Sequence, residues 1–179
     1  MEQKVWIASI ALILRRANSK LGILKLLSTS PSHDVVTLLS MIASSVETTM
    51  DGTSGALYAI FLNALTQDFK LRSDQAAVVD VKFWSLALTD ASAALAKYTP
   101  AKVGDRTMVD ALEPFVTTLK ITDSLKDAAS AAAAGAAKTK DYRASLGRAV
   151  YVGGESEWLG KILDPGAFGL SKFLEGLAE

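Results

Sequence analysis

The chain has 179 residues, half of them hydrophobic, a size that suits one domain with a substantial core. Its 19 Lys+Arg residues balance 19 Asp+Glu, so there is no net field to attract nucleic acid or an anionic membrane, and general polyanion binding is not expected. It has no cysteine, which removes disulfide frameworks, zinc ribbons and thiol nucleophiles and fits a reducing cytoplasm.

Apolar positions three and four residues apart predict helices over 6–27, 34–49, 53–69, 74–98, 107–120 and 122–142. The first begins in the run Val5–Leu14, which is too short to span a bilayer and is followed by Arg15-Arg16 in place of a signal-cleavage site, so it reads as a helix face. In the second, Val35, Leu38, Leu39, Ile42 and Val46 form one stripe; in the third, Leu57, Ile60, Phe61, Ala64 and Leu65 form another, and the two are expected to pack antiparallel. Breaks are expected at Ser28–His33, Lys70–Ser73, Thr99–Gly104 and Gly153–Pro165, stretches rich in Ser, Pro, Gly or charge. Ala128–Ala137 is alanine-rich but reads as a closely packed helix, because alanine is the best helix former and lets a neighbour approach. No β-branched run alternates long enough to make a sheet, and the fold is expected to be all-α.

Three Gly-punctuated steps fall where helices should begin: Met50–Tyr58, Gly104–Met108 and Asp164–Ala167. A helix start leaves backbone N–H groups without partners and carries partial positive charge, so small residues there let an anion approach. At the first step Gly52 and Gly55 remove bulk, and Thr53 and Ser54 offer hydroxyl and N–H groups to phosphate oxygens. At the second, Asp105 is placed to cap the helix and Arg106 offers a cation, to a phosphate or simply to solvent. At the third, an aspartate precedes a proline suited to the first helical position. Each step alone is also satisfied by an ordinary cap, and Asp51, Asp105 and Asp164 are expected to serve as caps. If all three act together, they should meet in one rim.

The order and wording of these motifs, Met50–Tyr58, Gly104–Leu112, Gly147–Gly153 and Asp164–Gly169, resemble the C-terminal nucleotide-binding domain, or L domain, of dihydroxyacetone kinases. The tail, with Leu146–Gly153, Trp158 and Asp164–Leu177, looks most like the fungal single-chain form. The resemblance runs over 31–179 and leaves 1–30 as a divergent N-terminal helix. It implies an antiparallel barrel of about eight helices, incomplete at the N-terminus here, that binds ATP or ADP at one end with Mg2+ and transfers phosphoryl to dihydroxyacetone in the cytoplasm. On matching positions it implies that Thr53 and Ser54 contact nucleotide phosphates, that Thr107 and Met108 line the nucleotide pocket, and that Asp164, Pro165 and Gly166 close its rim, with Arg148 a weaker candidate. The family often has a glycine where Thr99 stands, so that contact does not carry over.

Two parts of the family pattern are missing. Its metal-binding carboxylates lie in an Asp-Gly-Asp-x-Gly loop upstream of the Thr-Ser pair, whereas the first 50 residues here hold only the acids Glu2, Asp34 and Glu47. Mg2+ needs converging oxygen ligands, so its ligands are not found in this sequence. Nor does anything resemble the K domain, which in the family holds dihydroxyacetone through a histidine; the one histidine, His33, reads as an incidental loop or capping residue. The resemblance therefore implies the ATP-binding half of a dihydroxyacetone kinase, inactive alone and possible partner of a K domain. The alternatives are a non-catalytic interaction protein docking on a kinase or regulator, and a helical scaffold with no nucleotide site.

Overall fold

The computed structural model describes residues 34–73, 79–146, 150 and 158–178. Every regular element among them is helical: α1 (Val35–Thr49), α2 (Gly52–Ser73), α3 (Val81–Leu95), α4 (Val109–Thr122), α5 (Leu125–Lys138), a 3-10 turn (Thr139–Asp141) and α6 (Pro165–Leu177). The expected all-α class is what the chain adopts. None of these helices is long and apolar enough to cross a membrane. The expected helix over 6–27, His33 and Arg148 lie outside the described residues.

The described residues fall into two compact units that divide between Tyr98 and Thr99. In the first, α1 opens at Asp34, whose carboxylate accepts the Thr37 N–H at 2.8 Å. The Thr37 side chain, then its backbone, hold the Asp34 carboxyl below the usual carboxylate range. A two-residue step at Met50-Asp51 folds α2 back, so Leu38, Ile42 and Val46 pack with Ala59 under Met50, Tyr58 and Leu62. Gly55 is the residue that permits the fold-back, since a Cβ on it would come closer than 3.0 Å to the carbonyl of Met50.

The expected break at Lys70–Ser73 is corrected: α2 continues through Ser73. The charges that suggested a loop hold the last turn, because Arg72 pairs with Asp68 one turn back and with Asp90 on α3. Lys70 and Arg72 also place cations at the negative end of the helix. α3 is shorter than the expected 74–98, beginning after Asp80, which caps it through the Phe83 N–H at 2.8 Å. Phe69, fully enclosed, sets α2 against α3, with ring centroids 4.8 Å from Phe83 and 4.5 Å from Trp84.

In the second unit α4, α5 and α6 pack on one another. Asp123, in the left-handed conformation at φ 52°, stops α4, and Ser124 starts α5 by accepting the Asp127 N–H. The alanine-rich α5 buries Ala128, Ala129, Ala132 and Ala136, as its composition implied. Pro114 lies inside α4 and has no N–H for the Asp110 carbonyl one turn back. Gly135 of α5 comes against that same carbonyl, so closely that a Cβ there would lie under 3.0 Å from it.

Candidate functional site

The step before α4 is built around a carboxylate that did not stand out in the sequence. Asp110, in the first turn of α4 and fully buried, accepts the Gly104 N–H at 2.6 Å on one oxygen and the Thr107 N–H at 2.7 Å on the other. The expected cap at Asp105 is corrected. Asp105 closes its own loop by accepting from the Lys102 N–H and the Ser145 hydroxyl, both at 2.8 Å, and these bonds lower its pKa. The helix itself begins at Met108 with no side-chain cap. Gly104 at φ 104° supplies the backbone turn that lets its N–H point back at Asp110. An acid in the first turn of a helix, a few residues after a glycine, was the available signal.

Arg106 is also corrected, from a cation offered to phosphate or solvent to a buried brace. At φ 59° its side chain turns inward and is 6% exposed. One guanidinium nitrogen donates to the Thr139 carbonyl at 2.6 Å and another to the Ile162 carbonyl at 2.9 Å, while the group lies 4.4 Å from the Trp158 ring centroid. These partners are up to 56 positions away, beyond the reach of any local motif.

Asp164 caps α6 as expected: Pro165 takes the first helical position and the Asp164 carboxylate accepts the Ala167 N–H at 2.7 Å. Its own N–H donates to the fully buried Thr139 hydroxyl at 2.8 Å. Burial pushes the Asp164 carboxyl above its ordinary range, against the opposing pull of the Ala167 bond and the Arg106 charge. Gly166 then faces Met108, since a Cβ on Gly166 would stand 3.7 Å from both the Met108 Cβ and its N. The second unit therefore brings Thr107 and Met108 together with Asp164, Pro165 and Gly166. Met108 is buried and Pro165 exposed.

Thr53 and Ser54 lie in the first unit, exposed in the first turn of α2, which opens with Gly52 at φ 77° and has no acid in that turn. Asp51, just before, is exposed. The three helix starts thus differ. Those of α4 and α6 already have N–H groups bonded to Asp110 and Asp164, whereas that of α2 presents Thr53 and Ser54 outward.

Among the described residues no group of three His, Cys, Asp or Glu side chains is arranged to hold a metal ion. Asp34 is engaged with Thr37, and Glu47 is exposed within α1.

The DAK2 domain model matches residues 17–179 of the chain. Dihydroxyacetone kinase of Komagataella pastoris is 41% identical over 171 residues, covering 91% of this chain and 28% of that protein, so the chain spans little more than a quarter of this relative. The crystal structure of the dihydroxyacetone kinase of C. freundii in its native form superposes with a TM-score of 0.71 at 28% identity, covering 99% of this chain and 33% of that one. The same kinase in complex with AMP-PNP and Mg2+ gives a TM-score of 0.64 at 27% identity, with 99% and 32% covered. With a DAK2 model matched over residues 17–179, a relative 41% identical over 91% of the chain, and an all-helical fold that superposes on such a kinase, the chain belongs to the DAK2 domain family.

Proposed function

We propose that this chain is the ATP-binding half of a dihydroxyacetone kinase, a cytoplasmic domain that holds ATP or ADP for phosphoryl transfer to dihydroxyacetone. The observation that carries the reading is the meeting of Met108 with Asp164–Gly166, the two matched motifs of the second unit, in a protein whose structural relative is known with AMP-PNP. Within the first unit, Thr53 and Ser54 are the candidate phosphate contacts, because the α2 start is exposed and free of first-turn acids. Within the second unit, Thr107 and Met108 are the candidate pocket residues and Asp164, Pro165 and Gly166 the candidate rim. Carboxylates already bond the N–H groups there, so these helix starts suit an uncharged group better than a phosphate. Arg148 is a further candidate contact.

The 179 residues do not by themselves phosphorylate dihydroxyacetone. Phosphoryl transfer depends on positioning and on neutralising charge at the transferred group, and the sequence holds no Asp-Gly-Asp loop for the metal that would do so. No step through Mg2+ can be assigned to the side chains described. The same lack favours a second reading, in which the domain docks on a kinase or regulator without turning over.

A coupled assay separates the two. The chain alone, with ATP, Mg2+ and dihydroxyacetone, is expected to match a no-protein blank. Replacing residues 1–30 with a family segment that contains Asp-Gly-Asp, and adding a K domain, is expected to create turnover. Turnover by the unmodified chain would overturn the requirement for the loop, and no turnover from the graft would overturn the half-kinase reading in favour of docking.

A further inference from the structure

We propose that Asp110 and Arg106 are positioning residues that set the gap between Met108 and Gly166 and so fix the nucleotide rim, without touching nucleotide themselves. This rests on the nucleotide reading of that rim. Thr107–Met108 and Asp164–Gly166 belong to segments far apart in the sequence, and Gly166 faces Met108 across a gap that a Cβ on Gly166 would fill, at 3.7 Å from the Met108 Cβ. Their spacing is therefore set by what lies behind them.

Behind them runs one connected series of bonds. Asp110 takes both Gly104 N–H and Thr107 N–H, which pins the loop at each end of Asp105-Arg106. That loop conformation puts Arg106 at φ 59°, which non-glycine residues seldom adopt, and turns its guanidinium into the unit. Arg106 then holds the Ile162 carbonyl two residues before Asp164 and the carbonyl of Thr139, whose hydroxyl holds the Asp164 N–H. The Trp158 ring, with its centroid 4.4 Å from the guanidinium carbon, adds a cation–π contact to the fork. Asp164 in turn caps the helix that carries Gly166. Asp110 reaches Arg106 through the Gly104–Thr107 loop that it pins, hydrogen bonds carry the series on from Arg106 to Thr139 and from Thr139 to Asp164, and all four residues are buried.

A carboxylate offers a separate oxygen to each of the two amides, and a guanidinium reaches two separate carbonyls while keeping its carbon over an indole ring. Asp110→Asn keeps the shape but turns an NH2 donor towards one amide, and Arg106→Lys keeps the charge but loses the fork. The test is ADP calorimetry on wild type, D110N, R106K and the double variant, well below each melting temperature, with hydrogen exchange of the wild-type Gly104 and Thr107 amides. We expect each folded single variant to bind ADP at least tenfold more weakly, and the double variant to lose little more than the weaker single, because both act through one series of bonds. Variants that melt earlier but bind ADP within twofold of wild type would show a structural role alone and overturn the proposal, leaving the nucleotide reading intact. Wild-type Gly104 and Thr107 amides that exchange as fast as an open loop would also overturn it, even if both variants failed to fold. No ADP heat from wild type would overturn the nucleotide reading and this proposal with it.

Discussion

Asp164 shows how one side chain can cap a helix and still weaken the fold at neutral pH. Its carboxyl has a raised pKa in the folded protein, so between the ordinary 3.8 and the raised value the folded state binds more protons than the unfolded. Stability from this group is therefore greatest at low pH and falls as pH rises through that window. Asp34 and Asp105 act in the opposite sense, since their lowered pKa values give stability that is lost as pH falls through them. Asn caps as well as Asp and does not titrate. Wild-type thermal stability, measured relative to Asp164→Asn, is thus expected to decline as pH rises above 3.8 and then level off; a constant or growing difference would contradict the assignment. Asp164→Ala loses the bond to the Ala167 N–H and is expected to cost about 0.5–2 kcal/mol in denaturant unfolding. Asp164 was legible as a cap because the Asp-Pro pair carries its own local geometry. Asp105 was misassigned because it occupies the obvious capping slot, while the working carboxylate, Asp110, looks in sequence like any first-turn acid. Arg106 was illegible for a different reason: its partners Thr139, Trp158 and Ile162 are reached only through tertiary packing.

Helix identity was plain from periodicity, and helix ends were plain only where a cap or glycine marked them. α1 and α5 begin at Asp34 and Ser124 and lie close to their expected bounds. α2 overran its expected end because Lys70 and Arg72 look like a loop until Asp90 of another helix is placed beside them. Arg72→Ala is expected to cost about 1 kcal/mol, since its two pairs keep part of their side chains in water. It should also speed amide exchange in the last turn of α2. The close crossing of α4 and α5 gives a sharper test. Gly135→Ala improves helix propensity by up to about 1 kcal/mol but drives a Cβ into the Asp110 carbonyl, an overpacking worth about 1–3 kcal/mol or more against backbone that cannot yield. Net destabilisation is expected. Gly169→Ala, on α6 with nothing within 4 Å, is expected instead to stabilise by about 0.5–1 kcal/mol. Urea midpoints of the two variants moving in the same direction would contradict the packing described for α5.

For the whole molecule, the motifs revealed the family because each encodes a local turn, and the DAK2 match over 17–179 bears that out. What the motifs concealed is that they are not equivalent. All three read as anion-binding helix starts, yet two are occupied by the protein's own carboxylates, Asp110 and Asp164, and one, at Thr53 and Ser54, stands open to solvent. That asymmetry makes the α2 start the one suited to a phosphate, and leaves the two starts of the second unit suited to an uncharged group. Calorimetry of ADP with wild type and the Thr53→Ala/Ser54→Ala double variant, each also titrated with adenosine, tests this assignment most directly. The account predicts millimolar or tighter ADP binding by wild type, a loss of at least tenfold in the double variant, and adenosine binding that the double variant leaves unchanged. ADP binding equal in the two proteins, or no heat from wild type at millimolar nucleotide, would contradict it.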